Sequence, residues 1–208
     1  VPRYNLPQIR IASGSPYLTE LAMAFAPPII IESPLRPGSM RALAHDRETP
    51  MLLLEAGEAL RFDRYAINVG VSGVLRVLAH IGMIELDDGL AVVKVPTRAN
   101  RSSWVRAPRG GVSRRVRKSG DVVRQGDMLA VVGGLFGEDA QELVSPVDGV
   151  IIGHATLPVV NQGDALFHIA EVETMDAVGK DARSIADAMA VSQPPHPPTT
   201  LLDEDEVL

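Results

Sequence analysis

The chain is 208 residues long, 46% hydrophobic and 22% charged, a make-up that supports a globular core, and its length allows one large domain or two small ones. A net charge of −6 argues against a nucleic-acid binder, which needs clustered positive charge; the one basic run, Arg114 to Lys118 with Arg106 and Arg109 nearby, reads as the solvent face of strands. There is no cysteine, no apolar run of the ~18 residues that a membrane span needs, and no signal-peptide layout in VPRYNLPQIR, so a cytoplasmic protein without a membrane partner is expected.

Tyr4 to Arg10 reads as polar loop and sheet edge, because Pro7 cannot donate to a central ladder. Ser15 and Pro16 form an N-cap and first-turn pair, and Leu18, Leu21, Ala22 and Phe25 recur at helical spacing up to Ala26, where Pro27 and Pro28 stop the helix. Ile29 to Ile31 predict an apolar strand ending in Glu32 and Ser33. Ser39 then caps a helix carrying Met40, Leu43 and Ala44. This strand, helix, strand order is the unit that builds parallel sheets.

The next stretch, Met51 to Gly57 (MLLLEAG), predicts a short strand buried on both faces, as central parallel strands are. Glu55 ends its apolar run. In an open α/β sheet, ligands collect outside the carboxyl ends of strands, and a carboxylate beside an apolar interior can be tuned for proton transfer. The structural alternative is a cap for the next turn, or an ion pair with Arg61 or Arg64.

Asp63 can cap a long helix on which Ile67, Val71, Val74, Leu75, Leu78 and Ile81 form one apolar stripe, with His80 at the helix end. Leu86 to Gly89 is a short acidic turn. From Ala91 to Val172 the texture is all-β, short strands between Gly, Pro and Asp turns.

That stretch repeats itself. Ala107-Pro108-Arg109-Gly110-Gly111-Val112 matches Ser145-Pro146-Val147-Asp148-Gly149-Val150 at an offset of 38, and Val123 to Leu129 matches Val160 to Leu166 at an offset of 37. Two such units can interlock around a shared core. The duplicated half resembles the barrel-sandwich domains of biotinyl and lipoyl carriers, which attach their cofactor to a lysine at the hairpin between the halves. The joining segment here, Gly133 to Val144, contains no lysine, so an appended structural module is expected in place of a carrier. His154 and His168 read as satisfied strand histidines. After Val172 come a weak helix around Asp181 to Ala190 and a Pro-rich, acidic tail. The expected division is 1–90, 91–172 and 173–208.

The runs NLPQIR (Asn5 to Arg10), SPLRPGSMRALA (Ser33 to Ala44) and EAGEALRFD (Glu55 to Asp63), with the duplicated β half behind them, resemble the succinylglutamate desuccinylase and aspartoacylase family in its bacterial deacylase-like branch, over residues 4–172. The resemblance implies an α/β fold, the C-terminal part of a zinc-carboxypeptidase-like parallel or mixed sheet, followed by an all-β barrel-sandwich-like domain. It also implies a zinc-dependent hydrolase that removes an acyl group from the nitrogen of a small amino-acid-like molecule, or cleaves an ester.

By position, Glu55 would be the general base for zinc-bound water, and Arg41 would hold the substrate carboxylate, with Arg36 and Arg61 as weaker candidates. The family's zinc ligands are expected upstream of Asn5; His45 and His80 do not match them, so no metal ligand is assigned in this chain. The chain is therefore expected to be the C-terminal part of a longer enzyme or a truncated relative without chemistry. Its implied partner is a small acylated amino acid, and a sheet edge left open makes a homodimer a candidate assembly. The alternative is a non-catalytic binding or assembly module built on the β domain.

Overall fold

Gln8-Ile9-Arg10-Ile11 alternates polar and apolar residues, the period of a half-buried strand, and this segment lies inside β1 (Arg3–Ala12). The structure, a computed structural model, describes residues 2–86 and 95–172. Strand β1 is its hub. It runs parallel to β2 (Ile29–Ser33) from Gln8 to Ala12, antiparallel to β3 (Leu53–Glu58), and antiparallel to β10 (Gly149–Ala155) at Arg3 to Asn5.

The expectation of a loop or edge at Tyr4 to Arg10 is thus corrected. Because β3 pairs with the same β1 residues as β10 and then β2, it holds one edge while those two share the other. Leu6 and Pro7 lie where the partner changes, and the β1–β3 register also shifts between Asn5 and Gln8. The missing N–H of Pro7 falls where no register pair forms, so a proline is tolerated in a central strand.

Strand β3 is a second correction. It is antiparallel to β1, only half-buried, and pairs with no other described strand, so it is neither parallel nor central; Glu55 sits within it and not at its carboxyl end.

The helices begin where their caps predict. In α1 (Pro16–Phe25) the Ser15 hydroxyl accepts from Leu18 N–H at 3.3 Å. In α2 (Met40–Asp46) Ser39 accepts from Ala42 N–H at 3.2 Å, and in α3 (Arg64–His80) Asp63 accepts from Ala66 N–H at 2.7 Å. His80 meets Glu20 at 2.9 Å on the surface. Helices α1 and α3 cover one sheet face, where Ile9, Ile11, Ile30, Ala22 and Phe25 make a core. The stripe predicted to bury α3 does not. Val69, Gly73 and Val77 turn inward, and Ile67, Val71, Val74 and Ile81 are 46–56% exposed. Gly73 decides this, because a Cβ there would stand 2.2 Å from the Phe25 ring; only glycine lets the helices approach on that side. No described helix is long and apolar enough to cross a membrane.

The remaining strands are β4 (Thr97–Ala99), β5 (Ser102–Arg106), β6 (Gly111–Arg115), β7 (Val122–Val123), β8 (Met128–Gly133), β9 (Gln141–Val144), β11 (Val159–Val160) and β12 (Ala165–Glu171). Strands from both sides of residue 90 join one mixed eight-stranded sheet, β4-β2-β1-β10-β12-β5, with β3 on β1 and β7 on β10. A separate antiparallel sheet has the order β11-β6-β8-β9, and Val105, Leu129, Val132, Ile151, Phe167 and Ile169 fill part of the core of this half.

The repeated motifs make matching contacts. Gly126 N–H reaches Ser145 O as Gly163 N–H reaches Ala107 O, and Ser145 N–H reaches Asp127 O as Ala107 N–H reaches Asp164 O. The expected helix at Asp181 to Ala190, the tail, and most of the turn at Leu86 to Gly89 lie outside the described residues.

Candidate active site

Ile9 and Ile11 of β1 face the helices, so the alternation of a strand turns Gln8 and Arg10 to the other face. Glu55 is the register partner of Gln8 on β3. The fully buried Gln8 donates its Nε2 to Glu55 Oε2 at 3.0 Å. Arg10 Nε stands 3.0 Å from Glu55 Oε1, close enough for an ion pair although off the line of a hydrogen bond. The Glu55 side chain, 35% exposed, lines a cleft of about 1050 Å³ built by β1, β2, β3, β5, β12 and α2. A carboxylate offers about four acceptor sites, so two protein partners leave room for a water or a substrate proton.

The cleft is cationic despite the net negative chain. Arg3, Arg10, Arg36, Arg41, Arg101 and Arg106 line it, against Glu32, Glu55 and Glu171. Those carboxylates are engaged: Glu55 by Arg10, Glu32 by Arg98, and Glu171 by Arg101 at 3.3 Å and the Ser103 hydroxyl at 2.9 Å.

The sequence candidates separate. Arg41 lines the cleft beside Glu55, but its guanidinium donates to the carbonyls of Ile11, Ser33 and Pro34 at 3.1–3.3 Å, which ties α2 to the ends of β1 and β2. Burial is the main cause, with Arg10 next, that lowers its pKa from the ordinary arginine value. Arg36 is exposed in the cleft lining, with no side-chain hydrogen bond or ion pair to a described residue. Arg61 lies elsewhere, in a groove between β3 and α3, so it does not meet Glu55. Glu55 pairs with neither Arg61 nor Arg64; its partners are Gln8 and Arg10 of β1, the strand that Pro7 disguises as a loop.

Across the cleft, β5 and β12 present Trp104 stacked on His168, with ring centres 4.0 Å apart and planes 11° from parallel. The Arg3 guanidinium carbon lies 4.5 Å from the centre of the Trp104 ring. His168 meets the Ser102 hydroxyl at 2.9 Å, and burial, then Arg10 and Arg3, push its pKa down to about 3, so the ring is neutral. His154 on β10 accepts from Ser119 N–H at 3.1 Å; burial, then Arg115 and Lys118, lower its pKa to about 4.

No group of three or more His, Asp or Glu side chains among the described residues is placed to hold a metal ion. His154 and His168 are each engaged by a serine, and Glu55 by Gln8 and Arg10. The described residues do not fit a zinc site.

No protein-family model matches the chain, and no curated protein matches it by sequence. Solved structures do match in fold. A succinylglutamate desuccinylase/aspartoacylase from Rhodobacter sphaeroides is 22% identical, with a TM-score of 0.71 over 83% of this chain and 55% of that one. The product-bound ectoine utilization protein EutE (DoeB) of Ruegeria pomeroyi is 17% identical, with a TM-score of 0.71 over 83% of this chain and 55% of that one. An aspartoacylase family protein of Mesorhizobium loti is 14% identical, with a TM-score of 0.65 over 83% of this chain and 54% of that one. The chain has the fold of the succinylglutamate desuccinylase/aspartoacylase structures, and it spans about half of their length.

Proposed function

We propose that the chain is the part of a deacylase-type hydrolase that carries the general base, acting on a small acylated amino acid. The carrying observation is Glu55 in the lining of an arginine-rich cleft, held by Gln8 on one oxygen and by Arg10 beside the other. In this reading Glu55 takes a proton from the water that attacks the acyl carbonyl and returns it to the departing amine. Excess arginine charge in the cleft suits an anionic substrate and steers it inward. Zinc, implied by the sequence resemblance, finds no ligand set among the described residues, so its ligands would have to come from outside them.

The β half is read as two interlocked copies of one barrel-sandwich-like unit. The reciprocal contacts of Gly126 with Ser145 and Gly163 with Ala107 support this, as do the cross-pairings of β7 with β10 and β11 with β6. In this reading the half is a wall of the cleft, through Trp104 and His168, and not a cofactor carrier.

Glu55→Gln in the intact protein tests the proposal. It keeps shape and removes the base, so turnover of an N-acyl amino acid falls about 10²- to 10⁴-fold. Retained turnover would sink the assignment. The second reading, a non-catalytic assembly module built on the β domain, is favoured by the exposed apolar side chains of that half, Leu135, Phe136 and Val159.

A further inference from the structure

We propose that Arg3 and Trp104 form a carboxylate subsite on the wall of the cleft across from Glu55, a specificity site that neither the sequence motifs nor the fold comparisons assign. It rests on the hydrolase reading only for the identity of the molecule that brings the carboxylate.

Of the six arginines that line the cleft, only Arg3 and Arg36 have no hydrogen-bond or ion-pair partner among the described residues, and Arg36 is exposed. Arg10 is neutralised by Glu55, Arg101 by Glu171, and Arg41 spends three N–H groups on backbone carbonyls. Arg106 donates to the carbonyl of Gly163 at 2.9 Å. Arg3 has no carboxylate and no hydrogen-bond acceptor among the described residues, and its Nε is buried without a partner. With Nε out of reach of solvent and the charge unmatched by any carboxylate, the guanidinium is left to an anion in the cleft, which can accept from its remaining N–H groups.

Trp104 supplies the geometry. A guanidinium against an indole keeps its N–H groups at the edge of the plane, where a carboxylate can take two at once. The indole is itself held, stacked on His168, whose Nε2 is tied to Ser102. These contacts place the indole before a ligand arrives, which lowers the ordering cost of binding. Arg3 and Arg10 both depress His168, an independent sign that this corner is electropositive and that the histidine adds no competing charge. Asn5, on the same strand and also in the cleft lining, separates Arg3 from the Glu55 end. A substrate with its scissile group at Glu55 would bring a second, charged end to Arg3.

Trp104 is the only tryptophan in the chain, so its fluorescence reads the subsite directly. Wild-type protein titrated at low ionic strength with succinate, inorganic phosphate and neutral butyramide should show a saturable change with succinate, a weaker one with phosphate and none with butyramide. Arg3→Met should weaken succinate at least tenfold, and Arg3→Lys, which keeps charge without the fork, should fall between.

Iodide quenching is a second readout that needs no variant. Iodide should quench Trp104 more strongly than caesium, and added chloride should remove the difference. An equal response to succinate and butyramide, tighter phosphate binding, or unchanged succinate affinity in folded Arg3→Met would overturn the subsite. Intact protein that binds succinate through Arg3 but hydrolyses no N-acyl amino acid would keep the subsite and lose the hydrolase; hydrolysis with KM unchanged by Arg3→Met would do the reverse.

Discussion

Gln8 and Glu55 face each other as register partners of β1 and β3, and the amide of one holds the carboxylate of the other at 3.0 Å. Gln8 is fully buried, yet its Oε1 has no hydrogen-bond partner among the described residues. The one side-chain hydrogen bond that Gln8 makes among the described residues is the one to Glu55, so its burial cost is offset mainly through that contact. Gln8→Leu removes the orphan acceptor together with that grip. Unfolding free energy should change by less than about 1 kcal/mol, while turnover of the intact protein falls about 10- to 100-fold as Glu55 loses its orientation. Urea melts and steady-state kinetics on the same preparation separate the two effects; a parallel loss of both would make Gln8 merely structural.

Arg41 is the site candidate whose structural role is largest. Three carbonyls at the ends of β1 and β2 accept from it, and no residue of α2 is buried, so this guanidinium is a main tie of that helix. Arg41→Met should cost about 1–3 kcal/mol of stability, discounted toward the lower figure because the group is partly exposed. Hydrogen exchange of α2 should rise with it. An Arg41→Met variant with unchanged stability and a raised KM would return the residue to substrate binding.

What was legible in the sequence was local. Ser15, Ser39 and Asp63 cap helices through contacts three residues away, and each begins its helix as read. Pro7 hides the strand because its tolerance depends on β2 and β10, which begin at Ile29 and Gly149 and share one edge of β1. The alternation at Gln8 to Ile11 was the available signal for a strand, and it would have brought Gln8 and Arg10 into the site. Nothing local marks Arg3 or Trp104, which meet only because β1 and β12 are both neighbours of β10 and β5 pairs with β12.

Helix α3 offers a test of the corrected face. Gly73→Ala places a methyl group 2.2 Å from the Phe25 ring and should destabilise by about 1–3 kcal/mol, as overpacking does. Phe25→Leu on that background should recover part of the loss. Val71→Lys, on the stripe that periodicity alone would have buried, should stay within about 0.5 kcal/mol because Val71 is 56% exposed. Chemical denaturation of the three variants checks the assignment, and a severe loss in Val71→Lys with a neutral Gly73→Ala would reverse the two faces.

The two buried histidines set an acid limit on stability. His154 and His168 have pKa values lowered to about 4 and about 3, against an ordinary value of 6.5. Well above pH 6.5 both are neutral in either state and no proton is linked to folding. Below it the unfolded chain takes up protons that the native chain refuses until pH falls to about 4 at His154 and about 3 at His168. Stability is therefore present above the unfolded value and is lost as pH falls, with a slope of about 1.4 kcal/mol per pH unit for each ring. Between pH 7 and pH 5 the pair together should cost about 4 kcal/mol. Acid acts on the rest of the protein as well, so the comparison needs a control that lacks only the His168 imidazole. His168→Gln keeps an amide within reach of Ser102 and cannot titrate, so its urea midpoint should fall less steeply between pH 7 and pH 5 than that of the wild type. Equal slopes would mean that His168 is protonated in the native state, and the stacked, neutral wall of the cleft would lose its physical basis.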